Sequence, residues 1–171
     1  HRWPGAAIGV AVLAAAVLIF NAPYIIEQFK LVDPFSYMSG RIGREAYITR
    51  YRPEYPVVSY ANDYLPADAK LLGLFMGNRR YYCDRDLVFG HNLFSKIVKN
   101  ADSSATIREA LQQLGYSHLL IRFDLYNNWT DKHFSASEKE ILMSFFTRDV
   151  ARVLSSGGFG LFELLDNRKP S

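Results

Sequence analysis

A single cysteine, Cys83, occurs in the 171 residues. No disulfide can form within the chain, which fits either the cytoplasm or an extracytoplasmic domain large enough to need no covalent staple. One cysteine and four histidines, none at a ligand spacing, exclude a recognisable zinc site. A Gly-rich phosphate loop is missing as well. Met76-Gly77-Asn78-Arg79 offers one glycine where a dinucleotide loop uses three, and Ser156-Gly157-Gly158-Phe159-Gly160 reads as a hairpin turn, not a P-loop. No cofactor is therefore expected. The net charge is +3, and the 20 basic residues are scattered rather than striped, so no nucleic-acid partner is expected. Asp124, Asp131 and Asp149 have no second carboxylate at a useful spacing, which leaves a two-carboxylate hydrolase unsupported. Internal repeats and low-complexity segments are absent.

What the chain does contain is an uncharged apolar run, Trp3 to Ile26. A helix of about 24 residues reaches roughly 36 Å, enough for a bilayer core of about 30 Å. Pro4 suits a first helical turn, and Trp3 and Tyr24 stand at the two ends, where interfacial aromatics are favoured. Arg2 places the N-terminal end toward the cytoplasm and the remainder outside. Three readings compete: a transmembrane helix, which we prefer; a signal-peptide core; and a buried helix of a soluble protein, which Asn21, Pro23 and the many alanines would suit. The first residue is His1 rather than Met, so a piece of a longer protein, or a chain that followed a removed tag, is expected.

The expected division is an apolar helix over residues 1–29, the last membrane span, and one soluble α/β domain over residues 30–171. Asp33-Pro34 and Gly40 mark a connector, and a short helix runs from Gly43 to Pro53. Val58, Ala61 and Leu65 share one face of a helix that Pro66 closes. Leu71 to Met76 is an unbroken apolar strand, as expected for burial on both faces. Residues 86–92 form a second strand and residues 93–100 a helix. Ser104 caps a helix with the stripe Ile107, Ala110, Leu111 and Leu114; Gly115 ends it, and a central strand runs from His118 to Phe123. That order is half of a βαβ crossover and predicts parallel pairing with an earlier strand. Ser135 or Ser137, with Glu138 or Glu140, opens another amphipathic helix, and a hairpin about Ser155-Ser156-Gly157-Gly158 closes the chain. The fold class is α/β: a sandwich with a mixed sheet of four or five strands, flanking helices and a C-terminal β-hairpin, plus the N-terminal apolar helix.

Chemistry concentrates in Gly77-Asn78-Arg79-Arg80-Tyr81-Tyr82-Cys83-Asp84-Arg85-Asp86, after the first strand. The arginines would depress the Cys83 thiol, yet no histidine base is evident beyond His91, so an incidental thiol is expected. His118 reads as a packed structural histidine and His133 as solvated in a polar loop. Asn128-Trp129-Thr130 matches a glycosylation acceptor, relevant only in a eukaryotic secretory setting. Arg41, Arg44, Arg50 and Arg52 alternate with Tyr37, Tyr47, Tyr51 and Tyr55 just beyond the apolar run. That pattern suits either lipid headgroups or a solvated helix with its apolar stems packed down; Arg41, Arg44 and Tyr47 are the headgroup candidates.

The order of an apolar helix, GREAYITRY, YANDYLPADAKLLGLFMGNRRYYCDRDLVF, REALQQLGYSHLLIRFD and a closing hairpin resembles the C-terminal soluble tail of bacterial polytopic membrane proteins. These are similar to lipid-carrier-dependent glycosyltransferases of the GT-C type, the protein mannosyltransferase and aminoarabinose transferase group. The resemblance covers nearly the whole chain but rests on loose patterns: Asn62, Leu65, Pro66, Ala69 and Lys70; Tyr82, Asp84 and Arg85; and Leu114 to His118. It implies an inner-membrane enzyme with this domain on the periplasmic side. That enzyme would move sugar from a polyprenyl-phosphate carrier to a lipid, glycan or protein acceptor. Membrane lipid, the rest of the parent protein, and carrier or acceptor are then the partners. The family's catalytic acidic residues lie between early membrane helices outside this chain, so none is carried over, and the chain alone is expected to be inactive. Under the resemblance Arg79, Arg80, Tyr82, Asp84 and Arg85 are ligand-contact candidates; the competing reading is a structural strand connection. A membrane-tethered binding or assembly module without transferase activity, and a free-standing soluble enzyme, are the alternative functions.

Overall fold

A computed structural model describes residues 4–77 and 79–166. The chain divides into two compact units, one ending at Tyr51 and the other beginning at Arg52.

The first unit is helical. Helix α1 runs Pro4–Val32, three residues past the expected connector at Phe29. Lys30, Leu31 and Val32 are ordinary helix residues, and Asp33 breaks the run: helical geometry is disfavoured before proline, and Asp33 takes the left-handed conformation that aspartate tolerates, at φ 44°. Pro34 then opens α2, Pro34–Met38, and α3 follows at Arg44–Tyr51. Within α1, residues 7–32 form one helix long and apolar enough to cross a membrane, with a mean hydropathy of 2.2 and none of its residues buried. Nothing among the described residues buries this segment, which speaks against the reading as a buried helix of a soluble protein. Asn21, the polar group in the run, donates its side-chain amide to the Val17 carbonyl at 2.8 Å, so the helix itself satisfies it.

The second unit is a five-stranded mixed sheet in the order β2-β1-β3-β5-β4. Its strands are β1 Lys70–Leu74, β2 Asp86–Phe89, β3 His118–Arg122, β4 Val150–Ser156 and β5 Phe159–Leu164. β1 pairs in parallel with β2 and β3, with Leu71 opposite His118, as the crossover requires. β5 pairs antiparallel with β3 and with β4, which makes the closing hairpin. Alternate residues of β1 and β3 serve two cores. Leu72, Leu74, Leu119 and Ile121 meet Phe94 and Val98 of α5 (His91–Lys99), Ile107 and Leu111 of α6 (Ser104–Gln113), and Leu142 and Phe145 of α8 (Ala136–Arg148). Leu71 and Leu120 face Val57, Val58 and Ala61 of α4 (Tyr55–Tyr64). Burial on both faces explains why these strands carry no polar alternation.

Local signals set the boundaries, with corrections. β1 ends at Leu74, not Met76, because Phe75 adopts φ 61°. Ser103, not Ser104, caps α6: its backbone is extended and its hydroxyl accepts from the Thr106 amide at 3.3 Å. Leu114 is 45% exposed, and the stripe instead takes in Arg108, buried in an ion pair with Asp149 at 2.6 Å. Ser135 and Glu138 form a reciprocal capping box at the start of α8. Phe123, expected to end the strand, and His133, expected in a polar loop, both belong to α7, Phe123–His133. It follows β3 without a turn residue, and its apolar face is aromatic: Phe123, Tyr126 and Trp129 pack on the first core. The hairpin turns at Gly157-Gly158, both left-handed at φ 58° and 84°. A side chain at 157 would also strike the Pro53 carbonyl, so this turn seats the start of the unit.

Candidate functional site

The C-terminal ends of β1 and β3 open a crevice. The chain leaves β1 toward β2 and leaves β3 toward the opposite edge, the arrangement at which α/β sheets bind ligands. Phe75, Met76, Phe89, His91, Arg122 and Leu125 are among the residues lining a cavity of about 430 Å³ there, and Arg79 stands at its border. Most of this wall is apolar. Arg122 is held by Asp124 through two hydrogen bonds of 2.7 Å, which lower the Asp124 carboxyl from its ordinary value.

Arg79 also borders a second cavity of about 320 Å³, lined with Arg52, Glu54, Tyr81 and Tyr82. Glu54 is at the N-cap of α4, but its side chain does not cap the helix. The carboxylate is buried instead, 2% exposed. Its Oε2 accepts from Arg79 at 3.2 Å, and its Oε1 has no hydrogen-bond partner among the described residues. Arg52 is exposed and forms no ion pair among the described residues. Positive charge therefore exceeds negative around the opening. Glu54 escaped the sequence reading; the only local signal was a glutamate between two prolines, Pro53 and Pro56, at a helix start.

The five ligand-contact candidates separate in space. Arg79 lines both cavities. Arg80 points outward and pairs with Asp86 at 3.6 Å, both more than half exposed. Tyr82 packs on the second core and meets the Tyr55 ring edge-on at 5.6 Å. Arg85 donates to the carbonyls of Leu65, at 2.8 and 3.1 Å, and of Asn62, the exposed C-terminal end of α4. Asn62 completes this frame: its amide donates to the Tyr82 carbonyl at 2.7 Å, and its Oδ1 accepts from the Asp84 backbone at 2.8 Å. A second such frame joins Lys70, whose Nζ donates to the Leu114 carbonyl at 3.0 Å and lies 4.7 Å from the Tyr116 ring centre. The residues that carry the family resemblance thus have local structural work in this fold.

In the first unit, Tyr47 and Tyr51 donate their hydroxyls to the Val32 and Leu31 carbonyls at 2.7 and 2.9 Å, closing the C-terminal end of α1. Arg50 reaches Asp33 at 3.4 Å. Arg41 and Arg44 are exposed. Tyr47 stacks on Tyr37, with centroids 5.2 Å apart, and meets Tyr51 edge-on at 5.1 Å.

Burial raises the Cys83 thiol above its ordinary value despite Arg85 and Arg80, so the expected depression is corrected: the thiol packs against the second core and its Sγ lies 3.7 Å from the Arg85 carbonyl. His118 is buried, with Nδ1 2.8 Å from the Ser117 hydroxyl; burial lowers its pKa and Glu163 opposes that. His133 is exposed on the last turn of α7, not in a loop. Asn128 is exposed on the same helix, and the Thr130 hydroxyl donates to the Tyr126 carbonyl. Among the described residues no three His, Cys, Asp or Glu side chains converge as a metal site would need. Compared with protein-family models, with curated proteins and with solved structures, the chain matches none.

Proposed function

We propose that this chain is a non-catalytic module of a membrane glycosyltransferase that uses a polyprenyl-phosphate sugar donor. The second unit stands on the periplasmic side of a bacterial inner membrane and helps position acceptor or carrier. The observation that carries the reading is the 26-residue stretch Ala7–Val32 of α1, uncharged as far as Ile26 and with no buried position. A helix apolar all round is stable only inside a core or inside lipid, and none of these residues is buried. The tyrosines and arginines that follow suit a membrane surface. Within the second unit, the crevice at the sheet's C-terminal end supplies a place for a ligand.

The test is a transfer assay with a polyprenyl-phosphate-linked sugar on the intact parent polypeptide and on a version lacking residues 52–171. Transfer by the parent, its loss on deletion and the absence of turnover by the chain alone are expected. Fewer than six further apolar spans in the parent, or transfer untouched by the deletion, contradicts the reading and favours a membrane-tethered binding module without transferase activity. Alkaline phosphatase fused after Ser171 is expected to be active, as it is only outside the cytoplasm.

A further inference from the structure

The Glu54 cavity differs from an ordinary surface ion pair in one respect. A carboxylate oxygen that is buried and, among the described residues, unpartnered loses its hydration without a hydrogen bond in return. Here the carboxylate lines a cavity of about 320 Å³ beside two guanidinium groups and the ring of Tyr81, which is 89% exposed. An orphan anionic acceptor calls for a donor such as a hydroxyl. The excess of arginine calls for an anion. An exposed aromatic face suits the C–H face of a sugar or polyol.

We propose that Arg52, Glu54, Arg79 and Tyr81 form a binding site for a phosphate ester carrying a neighbouring hydroxyl, such as a phosphorylated sugar or polyol. The hydroxyl donates to Glu54 Oε1, the phosphate lies against Arg79 and Arg52, and Tyr81 covers the carbon skeleton. The apolar crevice of Phe75, Phe89 and Leu125 shares Arg79 with this site, so an apolar substituent on the phosphate finds an apolar wall next to the same residue. This deepens the proposed function and rests on it for the origin of the ligand, a carrier-linked sugar, though not for the chemistry of recognition.

The experiment uses the whole chain in phosphatidylcholine nanodiscs, titrated with α-D-glucose 1-phosphate, glucose and inorganic phosphate, and read by ligand-observed NMR. A parallel arm titrates glucose 1-phosphate on nanodiscs containing phosphatidylglycerol, whose headgroup joins a phosphate to two hydroxyls. Saturable binding of glucose 1-phosphate is expected, about tenfold or more tighter than glucose or phosphate alone. Tyr81→Ala is expected to weaken it several-fold without touching the fold, since the side chain is almost wholly exposed. Arg79→Gln is expected to abolish it. Because that change leaves Glu54 buried without its partner, Arg79→Gln, Glu54→Gln serves as the second variant, checked by thermal melting.

Competition by phosphatidylglycerol supports the site and assigns its ligand to the lipid surface; binding unaffected by that lipid assigns it to a soluble or carrier-linked sugar phosphate. The proposal is overturned if glucose 1-phosphate does not bind, if phosphate alone binds equally well, or if binding survives both Tyr81→Ala and the Arg79 variants. Binding together with a parent that transfers no sugar would instead remove the transferase reading and leave the site standing.

Discussion

The two units of this chain treat apolar side chains in opposite ways. In the second unit leucine is a core residue: Leu71, Leu72, Leu74, Leu119 and Leu120 are all fully buried. In the first, Leu13, Leu18 and Leu31 are 66 to 67% exposed, on a helix that carries no charge before Glu27. The same residue type with opposite burial means that the units are built for different surroundings. Sheet strands are buried on both faces by α4 on one side and by α5, α6 and α8 on the other, so the second unit supplies its own apolar solvent. The first unit supplies none, and a bilayer would.

Breaking the buried polar pair of the second unit is the harshest test of that self-sufficiency. Arg108→Ala leaves Asp149 charged and buried without its partner, and a loss of about 3–5 kcal/mol in urea unfolding of the second unit is expected. A loss under about 1 kcal/mol would mean that this interior is wetter than its packing indicates.

Matched truncations sharpen the contrast between units. Leu72→Ala is expected to cost about 2–5 kcal/mol by opening a cavity between β1 and the helices. Leu18→Ala is expected to leave the same unfolding transition within about 0.5 kcal/mol. Similar losses at both sites would place the two leucines in one water-excluded core and end the distinction.

Within the GNRRYYCDRD stretch, Arg85 and Arg80 make a smaller comparison. Arg85→Ala removes the charge-assisted bonds to the Leu65 and Asn62 carbonyls and is expected to cost about 2 kcal/mol in thermal or urea unfolding. Arg80→Ala removes only an exposed pair and is expected to change stability by less than about 0.5 kcal/mol. A reversed order would return Arg85 to the ligand-contact role.

The gentlest effect is one of pH. Burial lowers the pKa of His118 in the folded state, so the unfolded chain binds this proton more readily. The contribution of His118 to stability is complete above the ordinary value of 6.5 and declines as pH falls below it toward the folded value. Urea midpoints recorded across that window are expected to fall with acidification in the natural chain and to fall less in His118→Gln; equal slopes would remove His118 as the cause.

Much of the sheet was legible from residues alone. The stretch from Ser103 to Phe123 contains a cap, a 3.6-residue stripe, a helix-ending glycine and an apolar run, all pointing to the same helix–strand unit. Helix α7 was not legible, because Arg122 and Phe123 pass from strand to helix without a cap or glycine and its packed face, Phe123, Tyr126 and Trp129, is made of aromatics, which are weak helix formers and favour strands. The end of β1 depended on the backbone of Phe75, which no side-chain pattern encodes. The candidate site divided similarly. Arg79 stood out by composition, while Glu54 became visible only when folding placed it 25 residues away in sequence, against Arg79. The burial of Cys83, which reverses the effect expected from its arginine neighbours, is likewise a product of tertiary packing.

The most direct test of the central claim places nitroxide labels one at a time along residues 7–32 of the chain in a Cys83→Ala background, reconstituted in liposomes, and measures their accessibility to oxygen and to a water-soluble nickel chelate. Oxygen accessibility is expected to peak, and nickel accessibility to vanish, near the middle of the helix on every side, with both trends reversing toward its ends. Nickel reaching the mid-helix labels, or oscillating with a 3.6-residue period as for a helix lying on the surface, would contradict the account.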